Sequence, residues 1–318
     1  MNDPSREFAA ARRVPGPWTM LVGYALLGLQ PLPVKALGAS GWSAPWVVVA
    51  RFAFGLACIA LICVARGRGL RTAQPTLLFL RGLFGGVAVL LYFTSIQWAG
   101  VGPGTLLNYT YPLWANVLAV VVLGHRVPRV FWLLLALALA GVWLITAPSF
   151  WTSSGTARGL GELAGIASAV AAGAAVLCIK RLRETDESLT IIASFSVLGL
   201  LLALPFALFP SAAFGGPHAG ALPPLGAPDV LLVFALGALA FGGHLYFTRG
   251  YRGTSVQLGT ALSLVVPVIA ALSGAWIMNE PLGSRFIAGG LLVLGSCYGI
   301  GRLGITKLPN SEHEAPRA

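Results

Sequence analysis

Two arginines and a histidine stand inside apolar stretches of this chain: Arg51, Arg81 and His244. Ionisable side chains at such positions are costly in hydrocarbon, which makes them functional suspects by default. Arg51 either lines an internal cavity or snorkels to the nearer interface, whereas Arg81, close to the start of its stretch, is expected to snorkel. His244 either binds a solute, relays a coupling proton, or packs as a hydrogen-bonded histidine. A second polar group surrounds a proline. Asn108, Tyr109, Tyr111, Trp114 and Asn116 around Pro112 are too polar and aromatic for a lipid-facing run. Asn108, Tyr111 and the Pro112–Asn116 turn can share a broad helical face. Amide and phenol groups gathered this way suit a neutral or zwitterionic organic solute with an apolar part; the competing reading is hydrogen bonding between helices.

Other chemistries lack their parts. No acidic residue lies near the centre of an apolar stretch, since Glu162 and Glu280 fall at stretch ends. Of the four histidines, His218 and His313 lie outside the stretches, and no phosphate-cradling loop is present. An enzyme acting inside a bilayer would need paired carboxylates, a metal set or an activated serine. That alternative, like a membrane receptor or scaffold, is weaker than a solute-handling site. No cofactor or metal is expected. Cys58, Cys63, Cys178 and Cys297 all sit in apolar stretches and read as small packing residues.

The elements that position these residues occur twice. Tyr92-Phe93-Thr94 leads through a glycine-bounded turn to a stretch with Pro112 that ends at His125; Tyr246-Phe247-Thr248 leads likewise to Pro267 and Glu280. Tyrosine to proline takes 20 residues in one copy and 21 in the other, and proline to the terminal His or Glu takes 13 in both. Each proline removes an amide donor and frees the carbonyl four residues earlier, at Asn108 and Ser263. Pro112 and Pro267 are therefore candidate hinges. Asn108, Tyr111, Trp114, Tyr92, Arg51, His244, Tyr246 and Ser263 are the candidate lining of a cavity between the copies.

A chain of 318 residues that is 57% apolar and 10% charged cannot cover a soluble surface, which takes about 25% charged residues. Spanning hydrocarbon takes about 20 apolar residues, and ten segments qualify, at 18–37, 45–65, 76–98, 102–124, 129–147, 159–180, 189–209, 228–249, 254–279 and 283–303. The fold class is an all-α polytopic membrane protein. The formal charge of +11 would suggest nucleic acid for a soluble protein. Here its distribution excludes that partner: with loops assigned alternately to the two sides, 16 of the 21 Lys and Arg fall on one face, and only Lys35, Arg158 and Arg285 on the other. Such asymmetry puts both termini in the cytoplasm.

Five segments per copy force the second copy to start on the opposite side, so the two halves form inverted repeats. The expected division is a cytoplasmic tail at 1–17, a first repeat at 18–147, an exterior linker at 148–158, a second repeat at 159–303 and a cytoplasmic tail at 304–318. The proline-rich stretch 210–228 is the largest exterior loop. Gly82 and Gly86 form a small-residue pattern that suits packing within the chain better than a dimer face. Lys35 ends the first segment, where it either gates or anchors.

These features together resemble the drug/metabolite transporter superfamily, in its EamA-domain branch. The resemblance rests on ten segments in two halves, Arg51-Phe52, Arg81-Gly82, the paired prolines and the closing Asn279-Glu280-Pro281, and it covers roughly 18–303. It implies an inner-membrane carrier, often an exporter, of amino acids or other metabolites; the expected unit is a monomer or homodimer. Its central cavity is walled by the first, third, fourth, sixth, eighth and ninth segments. His125 departs from the pattern by standing where the second half has Glu280. The topology is checked by cysteine labelling: a cysteine at Ser154 should react with an impermeant thiol reagent added outside, and one at Thr185 should not.

Overall fold

In the computed structural model, residues 16–67, 69–123, 128–150, 156–209, 225–252, 254, 259 and 262–302 are described. The tails 1–15 and 303–318, most of the 210–228 loop, part of the 148–158 linker and His125 lie outside the described residues. The described chain is helical throughout, with no strand. In chain order the helices are α1 (Gly16–Leu29), α2 (Pro31–Ala39), α3 (Ala44–Arg66), α4 (Pro75–Ala99), α5 (Val101–Asn108) and α6 (Tyr111–Leu123). They continue with α7 (Arg129–Phe150), α8 (Thr156–Leu182), α9 (Ser188–Leu208), α10 (Ala227–Gly250), α11 (Val265–Ile277) and α12 (Ser284–Arg302).

Among the described residues, six stretches are long and apolar enough to cross a bilayer: Gly16–Ala39, Ala44–Arg66, Pro75–Ala99, Arg158–Leu182, Ser188–Leu208 and Ala227–Gly250. Segments 102–124, 129–147, 254–279 and 283–303 are helical where described, as α5 with α6, α7, α11 and α12. Three segments expected to be continuous are broken. Pro31 and Pro33 lack the amide protons that would continue α1, so the helix stops at Leu29 and restarts after Gln30. The 102–124 segment breaks at Tyr109–Thr110, three residues upstream of Pro112, which then sits in the first turn of α6, where a missing N–H costs nothing. Leu264 interrupts the other copy three residues before Pro267.

Helix contacts are made chiefly between distant parts of the chain. α4 lies along α8, α1 along α10, α7 along α12, and α9 packs on both α3 and α4. Glycine permits the closest of these approaches. A Cβ on Gly23 of α1 would lie 2.6 Å from the Phe247 nitrogen and 2.8 Å from the Gly243 oxygen of α10. Backbone cannot withdraw as a side chain can. Gly86 is used the same way inside the chain, since its Cβ would lie 2.8 Å from Gly199 Cα on α9. Between these contacts run two aromatic-rich cores, one around Phe52, Phe93 and Phe195 and the other around Tyr24, Tyr111 and Phe247.

Carboxylates brace the bundle. Asn279 adopts φ 53° at the end of α11, a left-handed conformation that asparagine tolerates better than most residues. The Glu280 amide then returns to the Gly274 carbonyl at 3.2 Å. This turn aims the Glu280 carboxylate at the first amides of α5, accepting from Val101 at 2.8 Å and Gly102 at 3.1 Å. Hydrogen bonds to a charged acceptor contribute about 1.5–3 kcal/mol each, and the helix dipole adds to them. Gly100, at φ 107°, makes the tight turn from α4 into α5 and leaves the carboxylate room. The Asp186 carboxylate likewise accepts from the Ala73 amide at 3.0 Å and from the Thr72 hydroxyl, joining the loop before α4 to the loop after α8.

The close approaches generate a stability prediction. Gly23→Leu should destabilise the detergent-purified protein by about 1–3 kcal/mol or more, read as a lower melting midpoint. Gly295→Ala is the control, because nothing lies within 4 Å of its Cβ position. It should leave the midpoint unchanged or raise it.

Candidate functional site

The breaks at Gln30 and Tyr109 face one interior cavity of about 100 Å³. Its walls come from α1 (Tyr24, Leu27), Gln30, α3 (Arg51), α4 (Arg81, Tyr92, Phe93), α5 and α6 with their junction (Asn108, Tyr109, Tyr111), α8 (Ala172, Ile179), α9 (Phe195) and α10 (His244, Phe247). Among the candidate residues, Arg51, Tyr92, Asn108, Tyr111 and His244 line this cavity, and Trp114, Tyr246 and Ser263 do not. Tyr246 is 40% exposed on the outside of the bundle. Trp114 is turned aside, donating from its indole nitrogen to the Thr110 hydroxyl at 3.3 Å. Ser263 is fully buried behind the wall, where its hydroxyl meets that of Tyr111.

The neutral polar groups are held in place by their own helices and neighbours. The Asn108 amide donates to the Ser168 hydroxyl of α8, which in turn donates to the Ala88 carbonyl of α4 at 2.7 Å. Three helices are thereby tied together at the cavity wall. Tyr92 shares a hydrogen bond with Thr105 at 3.0 Å. Tyr24 donates to the Gly259 carbonyl at 2.9 Å, and its hydroxyl lies among those of Tyr111 and Tyr251. The Asn116 side chain folds back on the Pro112 carbonyl at 2.7 Å, away from the cavity.

The cations are arranged differently. Arg51 and Arg81 are each 3% exposed, so neither reaches an interface. The expectation that Arg81 snorkels is corrected: its guanidinium lies over the Phe195 ring, 4.2 Å from the centroid. Gly85, one turn further along α4, makes this possible, because a Cβ there would overlap the guanidinium and lie 2.7 Å from the Phe195 ring. Arg51 lies 5.2 Å from the same ring and 4.6 Å from Phe52. His244 stacks against Phe195 as well, with ring centroids 4.9 Å apart. A buried unpaired ion costs several kcal/mol, and each stack with phenylalanine offsets about 0.5–2 kcal/mol of that.

Lys35 is engaged elsewhere, donating to the Gln97 carbonyl at 3.2 Å near the end of α4. Beyond the bundle, Arg183 is half-buried after α8. Burial lowers its pKa to about 10, with Arg252 and Arg249 adding repulsion that Glu187 and Asp186 partly offset. Sequence reasoning missed Gln30, Tyr24 and Phe195. Gln30 and Tyr24 carried a signal, being polar groups inside an apolar run. Phe195, one apolar residue among many in its segment, carried none.

The arrangement matches known proteins. The family model described as EamA-like transporter family matches residues 14–147 and again 159–302. The pseudopaline exporter CntI of Pseudomonas aeruginosa is 24% identical over 258 residues, covering 80% of this chain and 85% of its own. The uncharacterized transporter YwfM of Bacillus subtilis is 25% identical over 246 residues, covering 76% and 78%. Solute carrier family 35 member G1 of Mus musculus is 26% identical over 188 residues, 56% of this chain and 49% of that one. A solved crystal structure superposes over 91% of this chain and 96% of its own with a TM-score of 0.62 at 21% identity, which shows a shared fold. These relatives are transporters, not enzymes, and the group works in membranes on small-molecule substrates. With both halves matched and an interior cavity lined from each, the chain belongs to the EamA-like transporter family.

Proposed function

We propose that this protein is a secondary carrier that moves a small organic metabolite, an amino acid or similar compound, by alternating access between two inverted five-helix repeats. The observation that carries this reading is the origin of the cavity wall. Tyr24 to Tyr111 come from the first matched region and Ala172 to Phe247 from the second, so relative movement of the halves would reshape the site directly. Inverted repeats suit such movement because two copies in opposite orientation give two states of similar energy.

The helix contacts support the ten-span, two-repeat reading. If segment n corresponds to segment n+5, the contact of α4 with α8 has its counterpart in α1 and α2 with α10, and that of α4 with α9 in α3 with α10. The contacts α3 with α9, α5 with α11 and α7 with α12 then lie on the axis relating the halves. The domain bounds proposed are 18–147 and 159–303. Export is the direction favoured, in keeping with the printed role of the Pseudomonas relative as an exporter. The distribution of basic residues supports both termini being cytoplasmic, and placement in the inner membrane is what the family resemblance implies. Pro112 and Pro267 are proposed as hinges, each following a helix break by three residues. A coupling proton would meet His244, and the unit would be a monomer or homodimer.

A growth and efflux screen over amino acids and related metabolites, with the protein overexpressed and deleted, identifies a solute to measure. In proteoliposomes, Tyr111→Ala and Asn108→Ala should each lower its flux about three- to ten-fold, the size expected for one lost hydrogen bond, while membrane insertion is kept. Undiminished flux in both variants would remove the cavity assignment.

A further inference from the structure

Most of the groups left unsatisfied around the cavity are donors; the Tyr111 hydroxyl and His244 Nδ1 are the two that can also accept. Arg51 Nε and Nη1, Arg81 Nε and Gln30 Nε2 are all buried and have no hydrogen-bond partner. Both arginines remain charged under any physiological condition, and Arg81 bears on Arg51 as a like charge. Among the described residues, no Asp or Glu lines the cavity. The described carboxylates nearest in role are committed elsewhere: Glu162 to Arg158, Asp186 to Thr72 and Ala73, and Glu280 to Val101 and Gly102.

Stacking on Phe195 does not use up what the guanidinium groups offer. A cation–π contact engages the flat face of the group, whereas its hydrogen bonds leave from the edges in the plane. The fork that binds an oxyanion through two parallel N–H bonds stays available. Gly85 shows that the chain makes room for this placement, since any side chain there would displace the Arg81 guanidinium. Two buried cations and surplus donors around the cavity repel a cationic solute. The lining offers the ammonium of a zwitterion only neutral acceptors, the amide and phenol oxygens, and no opposite charge.

We infer that this cavity, taken as the binding site of the proposed carrier, holds a small organic solute of net negative charge, bracketing its carboxylate or phosphate between Arg51 and Arg81. The neutral or zwitterionic solute suggested by the amides and phenols is thereby narrowed to its acidic counterparts. Gln30, Asn108 and the tyrosines then receive the uncharged part, and Phe195 sets the spacing of the two cations.

The test uses the full-length protein purified in detergent and reads ligand binding as a rise in melting midpoint. Probes are matched pairs in which an acid is exchanged for its amide: succinate and succinamide, glutamate and glutamine, benzoate and benzamide. Phosphoenolpyruvate represents the phosphates, and chloride and inorganic phosphate are the bare-anion controls. At least one organic acid should bind about ten-fold or more tightly than its amide, a difference of roughly 1.4 kcal/mol. Preference for carboxylates over phosphoenolpyruvate, or the reverse, tells which oxyanion is taken. Arg51→Gln and Arg81→Gln should each erase that difference, and Arg51→Lys and Arg81→Lys should restore part of it.

Amides binding as well as acids, or no organic acid outdoing chloride and inorganic phosphate, would overturn the inference. So would folded glutamine variants that bind acids as the parent does. Should those variants fail to fold, the acid–amide comparison on the parent protein still decides. Flux of the same probes in proteoliposomes separates this inference from the reading beneath it. Acids that bind without being moved would leave the anion site standing and sink the carrier; carriage of neutral probes with no preference for acids would do the opposite.

Discussion

A helix that breaks inside a bilayer must give its freed amides and carbonyls to protein or water, because lipid offers no partner. That constraint organises this molecule. The breaks at Gln30 and Tyr109 face the protein interior and bound one cavity, and Leu264, the third, adjoins Ser263 behind its wall. Lining that space requires unbroken helices close around it, and close packing without a hydrophobic driving force requires small residues at the contacts. Gly23 against Gly243 and Gly86 against Gly199 follow from it. The carboxylate braces of Glu280 and Asp186 satisfy, by the same logic, backbone amides that the short turns at Gly100 and Ala73 leave open.

Class and membrane placement were legible because they depend on bulk properties. Few charges and long apolar runs leave no other solution, and the Tyr-Phe-Thr repeat tied two distant stretches to one design. The cavity was legible where polarity was out of place, as at Arg51, Asn108, Tyr111 and His244. Legibility failed where the outcome rests on a contact between distant parts of the chain. Arg81 lies near the start of α4, from which a long side chain can reach interface or interior alike; Gly85 and Phe195, the latter 114 residues away, decide for the interior. Tyr246 shows the converse. Its matched position with Tyr92 suggested an equivalent role, yet Tyr92 faces the cavity and Tyr246 faces outward.

The prolines show how a correct signal can be misplaced by a few residues. A proline removes a hydrogen bond to the carbonyl four residues back, so disruption appears upstream of the ring. In both copies the break lies three residues before it. The Asn279-Glu280-Pro281 motif had no mechanism in the sequence alone. It gains one from the left-handed turn at Asn279, which carries the Glu280 carboxylate from the second half onto the amides of the first.

Phe195 is one ring with three tenants: Arg51, Arg81 and His244 all lean on it. Groups that share a partner do not contribute independently, and their energies cannot be summed from single deletions. The three polar residues therefore form one thermodynamic unit spread over α3, α4 and α10, joined through an apolar side chain on α9. A change at Phe195 would act on all three helices at once, and a substitution at either arginine would alter the setting of the other.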